Sequence, residues 1–418
     1  MQHDATEVLV VGAGPVGMFA ALTLAQNGVK VHIIDEGSRT AGRSYACALH
    51  PHTLELLSDV GVAKEAVELG RLVNSIGLYA DGSRRAELKL PEMPWKFPFA
   101  LVLEQAVLED LLEQKLRRAG NVRVSWNHRL AGLETDGGGV TATIEKLALT
   151  AKGYGSLYVD VSVQKEMQAR ADYVIGADGR NSMVRRLLGV ECERTGEPEL
   201  YVVYEAACNR DCGHELKIFL DGKTASVMWP LSGEKCRWSF QLLPADDPED
   251  FPGKDRSRFI LKEQPGDEDS LHHLLRWLGQ RAPWLAEAVS EVGWCTDIQF
   301  ERRLAKEFGR ERCWLAGDAA HQTSPVGMQS MNAGLREAGD LAHKLVRILR
   351  GKETPGLLEI YNAYHRGEWE WLLGLKGPPK ARPGTPLWLS KSAPRILSSL
   401  PASGPELALL LDRLGLGN

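Results

Sequence analysis

The sequence has no uninterrupted apolar run of the roughly 18 or more residues that a membrane-crossing helix requires, so no spanning helix is expected. It has no basic surplus either. Lys and Arg number 50 against 55 Asp and Glu, the net charge is −5, and no long basic run occurs, which argues against a nucleic-acid partner. Cysteine is sparse and unpaired in pattern. Seven cysteines, an odd number, are scattered at 47, 192, 208, 212, 236, 295 and 313, which suits a reducing cytoplasm better than a disulfide framework. Cys208 and Cys212 are close, but no second Cys/His pair completes a tetrahedral set, so no metal is expected. There is no repeat of solenoid or propeller period, and no Ser/His/Asp or Cys/His constellation for nucleophilic catalysis. The opening MQHDATEVLVVGAG lacks a basic n-region and reads as a strand rather than a signal peptide.

What is present is a 418-residue chain of ordinary globular composition, 44% hydrophobic and 25% charged, and too long for one comfortable core. EVLVVG, GPVGMFAALTLAQNG and VKVHIID read as strand, helix and strand, a βαβ unit whose short connection implies a parallel sheet. Short helical patterns follow at 53–60 and 104–119. The period changes to two around 76–103 and 200–242, in YVVYEAAC, HELKIFLDGK, SVMWPL and RWSFQLL, with turns at Asp221-Gly222 and Ser232-Gly233. That predicts an antiparallel sheet. The glycine-rich stretch 137–156 reads as a loose hairpin or bulging loop. The parallel pattern returns at ADYVIGADG and CWLAGDAAH, so a nucleotide-binding domain is interrupted by a β-rich insertion. The expected division is 1–75, 101–190 and 295–352 for the binding domain, 76–100 and 191–294 for the insertion, and a C-terminal helical segment over 353–418.

Three strand-to-helix junctions carry the chemistry. In the first, Gly12-Ala-Gly14-Pro15-Val16-Gly17 follows a strand and opens a helix, the context a dinucleotide fingerprint needs. Gly12 permits the tight turn, Gly14 lets the backbone approach a pyrophosphate, and Gly17 lets helix and strand pack closely. The helix N-terminus offers free N–H groups and a favourable dipole to that anion. Asp35 ends the next strand where it can accept from ribose hydroxyls, with Glu36 a substitute or a surface residue. In the second, Asp178-Gly179 precedes Ser182 and Arg185, a pattern that also reads as an ordinary helix cap. In the third, Gly317-Asp318 ends an apolar strand and Pro325-Val-Gly327 leads into a long helical pattern. Parallel strands ending in such turns bring all three to one sheet edge, where ligands bind.

The order of these three motifs resembles the class A flavoprotein monooxygenases, the para-hydroxybenzoate hydroxylase-like family of FAD-dependent aromatic-ring hydroxylases. The likeness covers about residues 5 to 375. It implies an α/β fold: a Rossmann-like (GR2-type) FAD-binding domain carrying a mostly antiparallel β substrate domain, with a C-terminal helical segment. It implies that Gly12, Gly14, Pro15, Val16 and Gly17 cradle the FAD pyrophosphate and that Asp35 holds the ribose. By the same resemblance, Arg43 contacts the flavin, Gln105 and Asp318 (after Gly317) reach the ribityl chain, and Asp178-Gly179 serves FAD and nicotinamide binding. Pro325, Gly327, Met328, Met331 and Asn332 then line the isoalloxazine edge, with a helix starting near Gly327 aimed at the ring that becomes negative on reduction. Many relatives have glycine where this chain has Met328 and Ser330.

The activity so implied is hydroxylation of an aromatic, phenolic or polycyclic small molecule. NADPH or NADH acts as transient co-substrate, and O2 is carried through a flavin C4a-hydroperoxide. Only one complete dinucleotide fingerprint is present, so the nicotinamide cofactor would bind a surface groove. Tyr201, His214, Met228, Trp229 and Trp238 are the substrate-pocket candidates, each of which is also readable as plain core. No catalytic base is identified, and the oligomeric state, a homodimer included, is open. Two alternatives stand beside this reading: an FAD oxidase or reductase that inserts no oxygen, and a non-catalytic flavin-binding sensor.

Overall fold

A computed structural model describes residues 6–39, 48–152, 158–209, 211–243 and 264–417. Arg43 lies outside these residues. Alternating β-branched and aliphatic residues build the strand Thr6–Val11, and Val8 to Val10 are wholly buried. It pairs in parallel with Val31–Asp35 on one side and with Tyr158–Gly176 on the other. Val122–Trp126 and Cys313–Leu315 extend the sheet outward, again in parallel. The strands that end at Val11, Gly176 and Leu315 are therefore neighbours, and their turns share one edge. The helix Pro15–Gln26 starts with Pro at its first position, and all but two of its residues are buried. It is apolar all round because the long helix Gln329–Leu349 and the helix Gln105–Arg118 pack against it from outside the sheet.

The second sheet has eight strands. Val289–Phe300, Glu199–Cys208, Lys235–Leu242, Thr224–Leu231 and Glu215–Asp221 are mutually antiparallel, and Ser75–Ala80 then joins Glu215–Asp221 in parallel. The hairpin turn falls at Gly222, whose φ of +45° needs a glycine, as the Asp-Gly signal predicts. The alternating pattern gives this sheet two buried faces. Tyr201, Ile218, Val227 and Trp229 join the core shared with the parallel sheet. Tyr204, Phe219, Met228, Trp238 and Phe240 form a separate core with Trp277 from the helix Glu268–Arg281.

The α/β class and the mixed-sheet architecture are those expected from the sequence. One local expectation holds only in part. Residues 139–152 and 158–176 pair antiparallel as a hairpin would, but as a long regular ladder with one bulge between Lys146 and Leu147 rather than a loose hairpin or bulging loop. The glycines at 137–139 make only the preceding turn, and the period-two pattern of TATIEKLALT governs the rest. No helix among the described residues is long and apolar enough to cross a membrane.

Candidate functional site

At the first junction two glycines are needed by the protein itself. A Cβ on Gly12 (φ +102°) would sit 2.2 Å from the Ala177 carbonyl oxygen, and one on Gly17 would sit 2.0 Å from the Gly12 oxygen. Gly14 differs: its φ of −76° suits any residue, and a Cβ there would meet nothing within 4 Å. Among the described residues no side chain caps the helix that Gly14 begins. Bare backbone facing open space at an uncapped helix N-terminus is the cradle a phosphate fits. Asp35 ends its strand beside it, accepting from Ala13 N (2.6 Å) and Gly37 N (2.7 Å), so its carboxylate also braces the glycine turn. Glu36 follows it on the surface.

The second junction is closed. Asp178 accepts from Met183 N (2.6 Å), Val184 N (3.1 Å) and Ser182 Oγ (2.5 Å), while Ser182 Oγ accepts from Arg185 N (3.0 Å). Burial raises the Asp178 carboxyl above its usual range, against the hydrogen bond from Ser182 that lowers it. The Asp178 carboxylate and the Ser182 hydroxyl start the short helix Met183–Leu187, which is the helix-cap reading of the motif. Gly179 supplies the positive φ of +72° that the turn requires. Arg185 reaches across to donate to the Ala319 oxygen (2.6 Å), tying this junction to the third.

At the third junction Gly317 (φ +66°) packs under Val16, and Gly334 of the long helix passes so close that a Cβ on it would meet Gly317 Cα at 2.9 Å. Asp318 is exposed at the edge and accepts one hydrogen bond, from Ser330 Oγ (2.5 Å). Beneath the turn lies a buried carboxylate that sequence reasoning does not find. Glu337 accepts from Gly317 N (2.8 Å), Trp369 Nε1 (2.6 Å) and His321 Nε2, and the His321 ring stacks on Trp369 at 3.7 Å. Burial opposes the Glu337 charge, yet His321 and its other partners hold its carboxyl below the usual range. Glu337 lies 20 residues beyond Gly317 inside an amphipathic helix pattern, where it reads as any surface glutamate.

The loop after Asp318 is held from two sides. Asn332 donates to Ala48 O (3.0 Å) and Met328 O (2.7 Å) and accepts from His50 N and Thr53 Oγ1 (both 2.8 Å), so its amide has no capacity left over. His50 Nε2 donates to the Gly327 carbonyl (2.8 Å), and burial pushes this imidazole down to about 3, so it is neutral. On the other side the C-terminal helix Leu387–Ser399 fixes the loop. A Cβ on Gly327 would sit 2.6 Å from the Ser398 oxygen, and Gln329 donates to Leu397 O (2.8 Å). Pro325 follows Ser324, the neighbour of the Tyr201 hydroxyl, and Gly327 lies against this helix. Met328 adopts φ +52°, a left-handed conformation, as it begins the long helix without a side-chain cap. Met331, one turn inside that helix, is half-buried against the main core. Gln105 lies at the start of its own helix and donates to Glu109 (2.8 Å).

The substrate candidates separate onto opposite faces of the large sheet. Trp229, Arg237, Glu205 and Trp294 are cross-strand neighbours in one row, and Tyr201 lies on the same face. Arg237 Nε donates to Glu205 (2.8 Å), and its guanidinium sits 5.5 Å from the Trp294 ring centre. The Tyr201 hydroxyl donates to Glu199 (3.2 Å), with Ser324 of the loop before Pro325 as its other neighbour. Met228 and Trp238 point the other way, into the aromatic stack with Phe219 and Phe240. His214 is exposed at the sheet edge, its Nδ1 donating to Leu72 O (2.8 Å).

A family model described as an FAD binding domain matches residues 5–368. Among curated proteins the chain is 29% identical over 367 residues to the 6-methylpretetramide 4-monooxygenase of Streptomyces rimosus, covering 87% of this chain and 59% of that relative. It is 26% identical to the pentachlorophenol 4-monooxygenase of Sphingobium chlorophenolicum, covering 85% and 61%. The chain thus spans less than two thirds of the length of these relatives. Among solved structures it resembles a p-nitrophenol 4-monooxygenase from Pseudomonas putida DLL-E4, with a TM-score of 0.71, 20% identity and coverage of 98% and 94%. It also resembles an aklavinone-11 hydroxylase solved with FAD and aklavinone, with a TM-score of 0.64, 24% identity and coverage of 90% and 68%.

Proposed function

We infer that this chain, which belongs to the FAD binding domain family, is a flavin-dependent monooxygenase that hydroxylates an aromatic, phenolic or polycyclic small molecule. The observation that carries this reading is the shared edge of the parallel sheet. There an uncapped helix with bare Gly14, an exposed Asp318 and the uncapped long helix converge, and Ser324 of the intervening loop neighbours the buried Tyr201 hydroxyl. In this proposal the Gly12–Gly17 turn and the helix behind it hold the FAD pyrophosphate, and Asp35 takes the ribose. Gln105 and Asp318 hold the ribityl chain, and the start of the long helix faces the flavin pyrimidine edge. When bound and reduced by NADH or NADPH, FAD supplies the electrons that activate O2.

The chain's own residues position the substrate and keep water out. Tyr201 and Trp229 lie on one buried face with Val203, Val227, Ser239 and Thr296 between them, and the proposal assigns the substrate to this face. Burial pushes the Tyr201 phenol well above its usual range, so it stays neutral and donates its proton to Glu199 Oε2 in a hydrogen bond rather than acting as a base. A cytoplasmic location accords with the free thiols at Cys192, Cys208, Cys212, Cys236, Cys295 and Cys313. Oxidation of NADH and NADPH by the FAD-loaded protein is measured against a panel of phenols and polycyclic aromatics under 18O2. Substrate-stimulated oxidation with one labelled oxygen in the product is expected. Nicotinamide oxidation without label in any product would favour an oxidase or reductase, and flavin that neither nicotinamide reduces would favour a sensor.

A further inference from the structure

The far face of the large sheet gathers three thiols that the sequence keeps apart. Cys208 ends the strand Glu199–Cys208, and Cys236 lies diagonally across from it on Lys235–Leu242, where Ala206 pairs with Cys236. Cys212 comes back over both from the connection to the next strand. The Cys212 and Cys208 sulfurs are 3.0 Å apart, those of Cys208 and Cys236 are 3.3 Å apart, and all three lie within 4.8 Å of one another. A thiol is a weak hydrogen-bond partner, so mutual S–H contacts do little to explain such a trio. A soft d10 cation explains it better. Zn–S bonds of about 2.3 Å put the sulfurs of a tetrahedral site roughly 3.8 Å apart, so the two closer pairs need open by less than about 1 Å to take the ion.

We propose that Cys208, Cys212 and Cys236 form a three-thiolate site for one thiophilic d10 cation of the zinc class, with its fourth position open to the adjoining cavity. That cavity, of about 260 Å³, is lined by the three cysteines with Lys217, Met228 and Trp238 among others, and it leaves room for a water as fourth ligand. The support around the site is already built. Arg71, from the strand Arg71–Val73, donates to Gly213 O through Nε (3.1 Å) and Nη2 (2.8 Å) and to Leu231 O and Gly233 O (both 3.2 Å), and it pairs with Asp211. The guanidinium thereby fixes the segment that presents Cys212. Binding exchanges three thiol protons for one divalent ion, leaving a net charge of −1 beside Lys217, which pairs with Glu215, and the Arg71–Asp211 pair. No electron moves, so neither oxidant nor reductant is needed. The site lies on the opposite face from Tyr201 and Trp229 and is independent of the flavin reading.

The test uses the full-length, FAD-loaded protein, reduced and stripped of metal with a chelator, then titrated with Cd2+ alone and with Zn2+ alone. One equivalent per chain is expected, with sulfur-to-cadmium charge-transfer absorption in the near ultraviolet and loss of reactivity of three thiols. Cys212→Ser is expected to weaken binding at least 100-fold while retaining its FAD. If Cys212→Ser fails to retain FAD, Cys212→Ala and Cys236→Ser serve as the comparison. Absence of stoichiometric binding to the reduced protein overturns the proposal. So does wild-type affinity in a folded variant, or a Cys208–Cys212 disulfide whose reduction yields thiols that bind neither ion.

Discussion

The helix Met183–Leu187 starts on Asp178 and Ser182, whose oxygens take up its first N–H groups, whereas the helix Pro15–Gln26 starts on Gly14 with no side chain across its end. Both follow neighbouring strands of one parallel sheet and both open toward the same edge. The first has its leading N–H groups taken up by its own sequence. The second leaves its dipole and N–H groups to whatever enters the crevice. A third case lies nearby: the helix Pro51–Asp59 has no local cap, and Glu406, 354 residues later, accepts from His52 N (3.1 Å). Helix starts that look equivalent in sequence therefore differ in who satisfies them, and only the unsatisfied ones can hold an anion.

The largest effect should come from comparing the two glycines of the open junction. Gly12→Ala forces a Cβ against the Ala177 carbonyl at a positive φ and should cost about 3 kcal/mol or more, read as a collapse in denaturant midpoint. Gly14→Ala meets no protein atom and should leave the FAD-free protein within about 0.5 kcal/mol of wild type, while weakening FAD at least roughly tenfold. Unchanged FAD affinity in Gly14→Ala would remove the open junction from the site.

The distal cap titrates, because ionising Glu406 strengthens its bond from His52 N but leaves a charge in a buried site. Burial raises the Glu406 carboxyl to about 7, above its ordinary 4.5. The folded state thus binds this proton more tightly than the unfolded chain. The stability it contributes is full below about 4.5 and is lost as pH rises through about 7, by at most about 3 kcal/mol. Glu406→Gln should flatten that fall in thermal midpoint between pH 5 and roughly 8. An identical slope in the variant would assign the effect elsewhere.

The two aspartates sharpen the comparison further. Asp178→Ala should lower stability by about 2 kcal/mol through loss of the cap, seen in urea unfolding of the FAD-free protein. Asp318→Ala, at an exposed position bound among the described residues to Ser330 alone, should stay within about 0.5 kcal/mol of wild type yet lose FAD at least about tenfold on reconstitution. Indistinguishable behaviour of the two variants would erase the distinction between closed and open junctions. The smallest effect is expected for Ser330→Ala. It frees the Asp318 rotamer and should weaken FAD about threefold by isothermal titration, the order of one immobilised side chain.

Much of the fold was legible because periodicity reports local geometry. The period-two runs became the large sheet, the glycine fingerprint sits where strand meets helix, and the Asp-Gly and Ser-Gly pairs mark the hairpins. The site was legible only in part. Asp178 carries the same signature whether it caps a helix or contacts a ligand, and the cap it makes to Met183 and Val184 appears only in the fold. Asn332 follows the loop in sequence but is spent on Ala48, His50 and Thr53, contacts 279 to 284 residues away. Trp229 and Trp238 look alike in the alternating pattern, and only strand register sends them to opposite faces.

By itself the sequence determined whatever depends on neighbours along the chain: which segments are strands, where the backbone needs glycine, and which strand ends carry acids toward a helix. The tertiary structure alone decided how those groups are used. A carboxylate under Gly317 from one helix and a clamp on Gly327 from another are non-local contacts with no periodic trace. The same holds for three thiols drawn together from two strands and the connection between them. Partners of that kind are selected by sheet order and helix packing, which bring distant residues within hydrogen-bond reach without leaving a pattern in the residues between them.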